Sequence, residues 1–167
     1  MSRAGIRAKR STFARFAVIA ALALVAQVSA AQQLAPIAYT IRAPQPATHV
    51  LQVEATVPTE RRDSVDLMMA IWSPGYYRVE HYESRVRSFA ARASDGTELR
   101  FTQPAPNRWR IYTSGRPSVN ISYEVLSQER SVTLNWVDDT LAVLNGAPTF
   151  IPLAERATRR HDVRLAL

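Results

Sequence analysis

The sequence predicts an all-β protein, an antiparallel β-sandwich of about 8–10 short strands preceded by a cleaved signal peptide. From Tyr39 onward apolar and polar residues alternate, and turn residues separate the alternating runs. No segment after the first thirty residues has convincing helical periodicity. The chain of 167 residues has no cysteine, so a hydrophobic core must stabilise it without disulfides.

The first thirty residues have the layout of a secretory signal peptide. Basic residues lead, an apolar run follows over 16–28, and small residues surround Ala30 and Ala31 at the cleavage position. This run is shorter than the roughly 20 residues that a membrane-spanning helix needs, so no permanent membrane span is expected. We therefore predict a signal peptide over 1–30, one β-sandwich domain over 32–167, and a bacterial protein that is periplasmic or secreted.

The net charge of the chain comes mostly from this leader. It carries five of the 21 basic residues and none of the 14 acidic ones, which leaves 16 basic against 14 acidic residues, or +2. The remaining basic residues are arginines scattered in ones and twos. We therefore do not expect this chain to bind nucleic acid.

The first predicted strands follow in order. HVLQVEATV, residues 49–57, alternates as a half-buried antiparallel strand does. Residues 65–72 are nearly all apolar, which predicts a central strand covered on both faces. Residues 85–93 and 98–103 flank Ser-Asp-Gly-Thr at 94–97, a strong hairpin signal because Asp and Gly tolerate positive φ.

The second half of the chain continues the alternation. NRWRIYT, residues 107–113, and SVNISYEVL, residues 118–126, each place large apolar side chains on one face. Turns are predicted at Asp138-Asp139 and at Asn145-Gly146.

Two further strands are predicted between and after these turns. SVTLNWV, residues 131–137, would place Val132, Leu134 and Trp136 on one face. HDVRLAL, residues 161–167, would turn its apolar residues inward, namely Val163, Leu165 and Leu167. Because this last pattern stops without a turn or cap, we interpret the chain as the front portion of something longer.

Residue patterns typical of catalysis are missing from the sequence. The three histidines, His49, His81 and His161, lie on separate segments without a His-Glu-x-x-His motif, and no Gly-x-Ser-x-Gly elbow occurs. The paired carboxylates Asp138-Asp139 and Glu80-Glu83 are interpreted as solvated loop charges. We therefore expect no catalytic residue, no metal ligand and no cofactor in this chain.

The densest candidate site is IWSPGYYRVEHY, residues 71–82. Pro74 and Gly75 predict a type II turn over 73–76. In the favoured interpretation Trp72 fills the core and the tyrosines cover the sandwich edge. In the alternative the tyrosines form an aromatic rim that binds a ligand or packs on another domain. The candidate contact residues are Trp72, Tyr76, Tyr77, Glu80, His81 and Tyr82.

A series of motifs in this order resembles the N-terminal domain of the glycyl aminopeptidases, metallopeptidase family 61. The runs are WSPGYYRVEHYESRVRSFAARASDGTELRF, NRWRIYTSG and VNISYEVLSQERSVTLNWVDDTLAVLNGAPTF, which span most of the chain after the leader. The family pattern has threonine where Ser73 stands and a different polar pair at Glu80-His81. The matching positions are Trp72, Pro74, Gly75, Tyr77, Tyr82, Asp95-Gly96, Trp109, Tyr123, Val125, Asn145-Gly146 and Phe150.

The resemblance implies a β-sandwich that precedes a thermolysin-like zinc catalytic domain and, often, a PDZ domain. It implies that the zinc ligands and the general-base glutamate lie beyond residue 167. The expected function is that of a non-catalytic domain that packs on the catalytic domain and helps shape its substrate cleft, with a peptide substrate as a second partner. The alternatives are a free-standing periplasmic module that binds peptide or carbohydrate through Tyr76, Tyr77 and Tyr82, and a structural protein anchored by an uncut leader.

Overall fold

The period-two pattern of the sequence becomes a set of short strands in the computed structural model, which describes residues 34–155 and 158–166. The predicted signal peptide, residues 1–30, lies outside the described residues. Within the described ranges the strands are β1 Ile37–Arg42, β2 Val50–Pro58, β3 Ser64–Met68, β4 Val86–Arg92, β5 Phe101–Ala105, β6 Arg108–Tyr112, β7 Ser118–Leu126, β8 Trp136–Val137, β9 Ala142–Val143 and β10 His161–Ala166.

These strands form two main sheets and one small hairpin. The larger sheet has the order β10-β1-β2-β7-β4, the smaller one has the order β3-β6-β5, and β8 pairs with β9. All named strand pairs are antiparallel except β1 with β10, which run parallel. Short helices complete the described fold, namely a 3₁₀ helix Pro46–Thr48, a 3₁₀ helix Tyr82–Arg85 and a single α-helical turn α1 Gly146–Thr149.

One hydrophobic core joins the two main sheets. Alternate residues of β2 and β7 are buried, as period two requires, and they cluster with buried residues of β3 and β6. Phe89 of β4 stacks on Trp109 of β6 with 5.3 Å between ring centroids, so aromatic packing also connects the sheets. The predicted all-β sandwich is confirmed.

The hairpin signal at 94–97 is confirmed as a turn. Gly96 has a φ of 86°, and the Asp95 carboxylate accepts a hydrogen bond from the Thr97 amide at 2.9 Å. After this turn the chain leaves the larger sheet, since β5 belongs to the smaller one. The turn thus carries the chain from one layer of the sandwich to the other.

The predicted central strand over 65–72 is wrong in length and in position. β3 ends at Met68 and lies at the end of the smaller sheet. Its outward-facing Asp66 forms a two-pronged ion pair with Arg110 at 2.7 and 2.8 Å, which lowers the pKa of Asp66. The other edge of β3 contacts a segment without regular secondary structure. There the Met68 amide donates a hydrogen bond to the Pro152 carbonyl at 2.9 Å.

The predicted strand over 131–137 is also wrong. Only Trp136 and Val137 are strand residues, Val132 is 82% exposed, and Thr133 to Asn135 are buried consecutively instead of alternately. The buried Asn135 side chain accepts a hydrogen bond from the Asn145 amide at 2.7 Å. Polar contacts therefore determine the backbone path of this segment, and the spacing of apolar residues does not reveal such contacts.

The two turns predicted near this segment have different outcomes. Asp138 forms the expected turn, since its carboxylate accepts hydrogen bonds from the amides of Thr140 and Leu141 at 2.8 Å each. Asn145 and Gly146 instead begin α1, with Asn145 at the N-cap position. The Asn145 side chain makes no capping hydrogen bond, because its Nδ2 donates instead to the Leu134 carbonyl at 2.5 Å.

The last strand is present but does not bury its apolar residues. Every residue of β10 is exposed, including Val163 at 46% and Leu165 at 55%, and Leu167 lies outside the described residues. The prediction that these side chains are buried is therefore wrong for Val163 and Leu165. Among the described residues, no helix is long and apolar enough to cross a membrane.

Candidate functional site

The candidate site is the aromatic loop, defined as residues 71–82, which joins β3 to the 3₁₀ helix Tyr82–Arg85. Its tip is a tight turn in which the Tyr76 amide donates to the Ser73 carbonyl at 3.1 Å and Gly75 has a φ of 84°. These are the features of a type II turn with Pro at its second position. The predicted turn over 73–76 is confirmed.

The base of the loop is fixed by Tyr82. Its side chain is fully buried, and its phenol hydroxyl lies 2.8 Å from the Ser73 hydroxyl, within hydrogen-bonding distance. A second bridge runs from the Glu80 amide to the Ile71 carbonyl at 2.9 Å. Tyr82 therefore anchors the loop from inside the core and is not part of an exposed rim, which differs from the predicted three-tyrosine surface.

The loop exposes several large apolar side chains. Trp72 is 47% exposed and Tyr77 is 91% exposed, and Ile71 and Val79 are also exposed. Trp72 does not fill the core as the favoured interpretation expected, because Met69, the residue after β3, is the last fully buried residue before the loop. The loop thus presents large apolar side chains to solvent from a fixed base.

Charged residues flank these aromatics. The Arg78 guanidinium lies 5.9 Å from the centre of the Tyr76 ring, and its Nε is 4.0 Å from Glu80. His81 adopts a left-handed conformation with its Nδ1 3.2 Å from the Glu83 carboxylate. Glu80 and Glu83 keep only a small part of their side chains exposed, 15% and 9%, so the interpretation as solvated loop charges is wrong for this pair.

A groove of about 580 Å³ lies beside the turn. One wall is the turn itself, residues 73–76, and the other wall comes from distant parts of the chain. The groove falls within the size range of ligand pockets, 300–1,000 Å³. The residues of the second wall are Val132, Thr133, Asn145, Gly146 and Ala147.

A buried polar network holds the second wall in place. Asn135 donates to the Thr149 hydroxyl at 2.8 Å, and this hydroxyl donates to the Asn145 carbonyl at 2.6 Å. The Tyr123 hydroxyl donates to the Thr149 carbonyl at 2.7 Å. The sequence predicted only a turn at Asn145 and did not connect it with Asn135 or Thr149, because hydrogen bonds between separate segments leave no periodic pattern.

The described residues do not fit a zinc site. In residues 34–155 and 158–166, no three His, Cys, Asp or Glu side chains are grouped so that they could hold a metal ion. His49 contacts the Val137 carbonyl at 2.6 Å, and His161 lies on β10, where burial and Arg159 lower its pKa.

Comparisons with known proteins agree with this fold. Residues 38–167 match the model of the peptidase M61 N-terminal domain. A solved structure of an aminopeptidase N family protein from Idiomarina loihiensis is similar, with a TM-score of 0.70 and 22% sequence identity. The similarity covers 77% of this chain and only 22% of that one, and at such identity it shows the fold alone. No curated protein matches the chain.

Proposed function

The chain belongs to the M61 peptidase family through its N-terminal domain, and from this membership we propose that it is a non-catalytic domain of an exported zinc aminopeptidase. The match over residues 38–167 carries the proposal, because it covers nearly all of the described chain. In this proposal the zinc ligands belong to a separate catalytic domain. The domain packs on that catalytic domain and helps to shape its substrate cleft.

The aromatic loop supports the proposed packing role. Trp72 and Tyr77 are exposed, while Tyr82 and the Ser73–Tyr76 turn fix the backbone that carries them. Aromatic side chains with two rotatable angles lose little entropy on binding and dominate many interfaces. A fixed loop with exposed aromatics is thus suited to contact a second protein surface.

The groove beside the turn supports an alternative function. It has a suitable volume and lies next to the Tyr76 and Val132 side chains, as expected of a module that binds a peptide or carbohydrate. In this alternative the chain acts alone in the periplasm. The two proposals differ in the partner that the loop contacts.

An activity and binding experiment tests the proposed function. The purified chain is assayed with glycine and alanine anilides, alone and with the separately produced catalytic domain of an M61 peptidase. We expect no hydrolysis by the chain alone and a measurable complex with the catalytic domain. Hydrolysis by the chain alone that a chelator stops would show that it is itself an enzyme.

Substitutions in the aromatic loop test whether the loop contributes to the complex with the catalytic domain. Trp72→Ala and Tyr77→Ser should weaken the complex, whereas Gln52→Ser, on the exposed face of β2, should not. The loop would lose its proposed role if all three variants bound equally. Binding of a peptide or oligosaccharide by the chain, with no complex formed, would favour the alternative.

A further inference from the structure

The charged pairs of the aromatic loop expose their basic members and bury their acidic ones. Arg78 lies 4.0 Å from the Glu80 carboxylate, and the Arg78 side chain is 75% exposed while that of Glu80 is only 15% exposed. In the second pair the His81 side chain is 73% exposed and that of Glu83 only 9%. A surface that meets the loop therefore contacts the basic groups before the carboxylates.

The inward position of Glu83 follows from the fold. Glu83 is the second residue of the 3₁₀ helix Tyr82–Arg85, and the first residue of this helix, Tyr82, is buried in the core. The Oε2 atom of Glu83 is itself buried and has no hydrogen-bond partner among the described residues. The charge that the loop presents to solvent is therefore positive, from Arg78 and, when it is protonated, from His81.

The positive charge of Arg78 lies close to the groove beside the turn. Tyr76 lines this groove, and the Arg78 guanidinium is 5.9 Å from the centre of the Tyr76 ring. The other wall of the groove carries Val132, whose side chain is 82% exposed. The groove thus combines apolar surface from Tyr76 and Val132 with a neighbouring cation.

The Arg78 guanidinium can bind a further carboxylate. Its Nε is 4.0 Å from Glu80, which is beyond hydrogen-bonding distance, so this contact leaves its N–H groups available to another acceptor. Guanidinium groups match carboxylates with two parallel hydrogen bonds, and such charge-assisted bonds are stronger than neutral ones. A partner that places a carboxylate beside the groove would therefore be favoured over one that places a cation there.

We propose that the aromatic loop and the groove dock a protein surface that combines an apolar side chain with a neighbouring carboxylate. The apolar side chain fills the groove between Tyr76 and Val132, and the carboxylate pairs with Arg78. The inference rests on the proposed function and deepens it, because it assigns this acidic and apolar chemistry to the contact surface of the catalytic domain.

The shape of the site favours a protein over an anionic lipid surface, which would share the same charge. The groove of about 580 Å³ is concave, and a protruding side chain can fill it, whereas lipid headgroups present no group of fixed shape. The contact between the Ser73 and Tyr82 hydroxyls also fixes the base of the loop. A preorganised surface of this kind loses little entropy when it binds a partner of matching shape.

The test measures binding of the chain to the separately produced catalytic domain of an M61 peptidase. Arg78→Glu should weaken binding by about tenfold or more, whereas Arg78→Lys keeps the charge and should lose much less. Val132→Asp and Val132→Lys both remove the apolar side chain and differ in charge, so Val132→Asp should bind about tenfold more weakly than Val132→Lys. Raising NaCl from about 50 to about 500 mM should weaken the wild-type complex more than that of Arg78→Glu.

Arg100→Glu is the matched control for the charge reversal. Arg100 is also an exposed arginine beside a tyrosine, with its guanidinium 3.8 Å from the centre of the Tyr112 ring. Tyr112 pairs with Ser64 at the start of β3, whereas the aromatic loop follows the end of β3. Arg100→Glu should therefore bind as the wild type does, and thermal unfolding checks that every variant is folded.

The outcomes separate this inference from the proposed function. If Arg78→Glu binds as the wild type does while Trp72→Ala weakens the complex, the acidic contact surface is refuted and the proposed function stands. Equal binding by Val132→Asp and Val132→Lys would likewise refute it. If the wild type forms no complex, both proposals are refuted. If the chain instead sediments with phosphatidylglycerol vesicles and only this binding is lost in Arg78→Glu, the occupant is a lipid surface and the assignment to a protein is wrong.

Discussion

Ser73 and Tyr82 allow a sharp test of how the aromatic loop is held. Their hydroxyls are 2.8 Å apart, but Tyr82 is fully buried while Ser73 lies in a partly exposed turn. Tyr82→Phe leaves the Ser73 hydroxyl free to bond to water, so we expect a loss of about 0.5–1 kcal/mol. Ser73→Ala leaves the phenol buried without a partner, so we expect about 1–2 kcal/mol.

Urea unfolding followed by tryptophan fluorescence and circular dichroism measures these differences. The double variant should be no less stable than Ser73→Ala, because the buried ring of Phe has no hydroxyl to leave unpaired. Amide exchange in the loop should accelerate in all three variants. Tyr77→Phe is the matched control, since this side chain is 91% exposed and should change stability very little.

The relative stabilities of the two single variants test whether the two hydroxyls form this hydrogen bond. If Tyr82→Phe were clearly more destabilising than Ser73→Ala, the phenol would have another partner within the core. If the two losses simply added in the double variant, the two hydroxyls would not interact. Either result would refute the anchor at the base of the loop.

Three further predictions follow from the fold around the site. Gly75→Ala should lose about 1–2 kcal/mol through its φ of 84° alone, since an added Cβ meets no atom within 4 Å, whereas Gly146→Ala should be nearly neutral in the same unfolding assay. Tyr123→Phe leaves the buried Thr149 carbonyl unpaired and should lose about 1–3 kcal/mol in urea unfolding. Asp138 accepts hydrogen bonds that lower its pKa, so its stabilising contribution is present above about pH 4 and is lost as the pH falls further. In melts across pH 2–7, Asp138→Asn should be less stable than the wild type at neutral pH, and the difference should shrink in acid; a constant difference would contradict this.

Sequence periodicity predicted the strands whose two faces meet different environments. β7 has core on one side and solvent on the other, so its alternation over 118–126 matches the strand Ser118–Leu126 residue for residue. β2 behaves in the same way, and its predicted range differs from the observed strand by only one residue at each end. Tight turns at Gly75 and Gly96 were equally readable, because positive φ limits the residue choice so strongly.

Sequence periodicity did not predict burial where polar contacts or the path of the chain determine which side chains are covered. Asn135 is buried because it completes hydrogen bonds with Thr149 and Asn145, and these partners are distant in sequence. Trp72 is exposed because the chain leaves the sandwich after Met69, a turning point that an apolar run does not reveal. The candidate loop was found from its composition, but its second wall at 132–133 and 145–147 required the fold.

The aromatic loop by itself does not separate the two functional proposals. An exposed aromatic loop beside a groove suits a ligand as well as a domain, so Trp72 and Tyr77 are compatible with either. Natural β-proteins protect edge strands with charges, bulges or a covering element, because an apolar edge invites aggregation. On β10, Val163 and Leu165 extend the line of the core, and the charges of Asp162 and Arg164 are on the other face. The exposed apolar side chains of this edge strand therefore lack the charges that its other face carries.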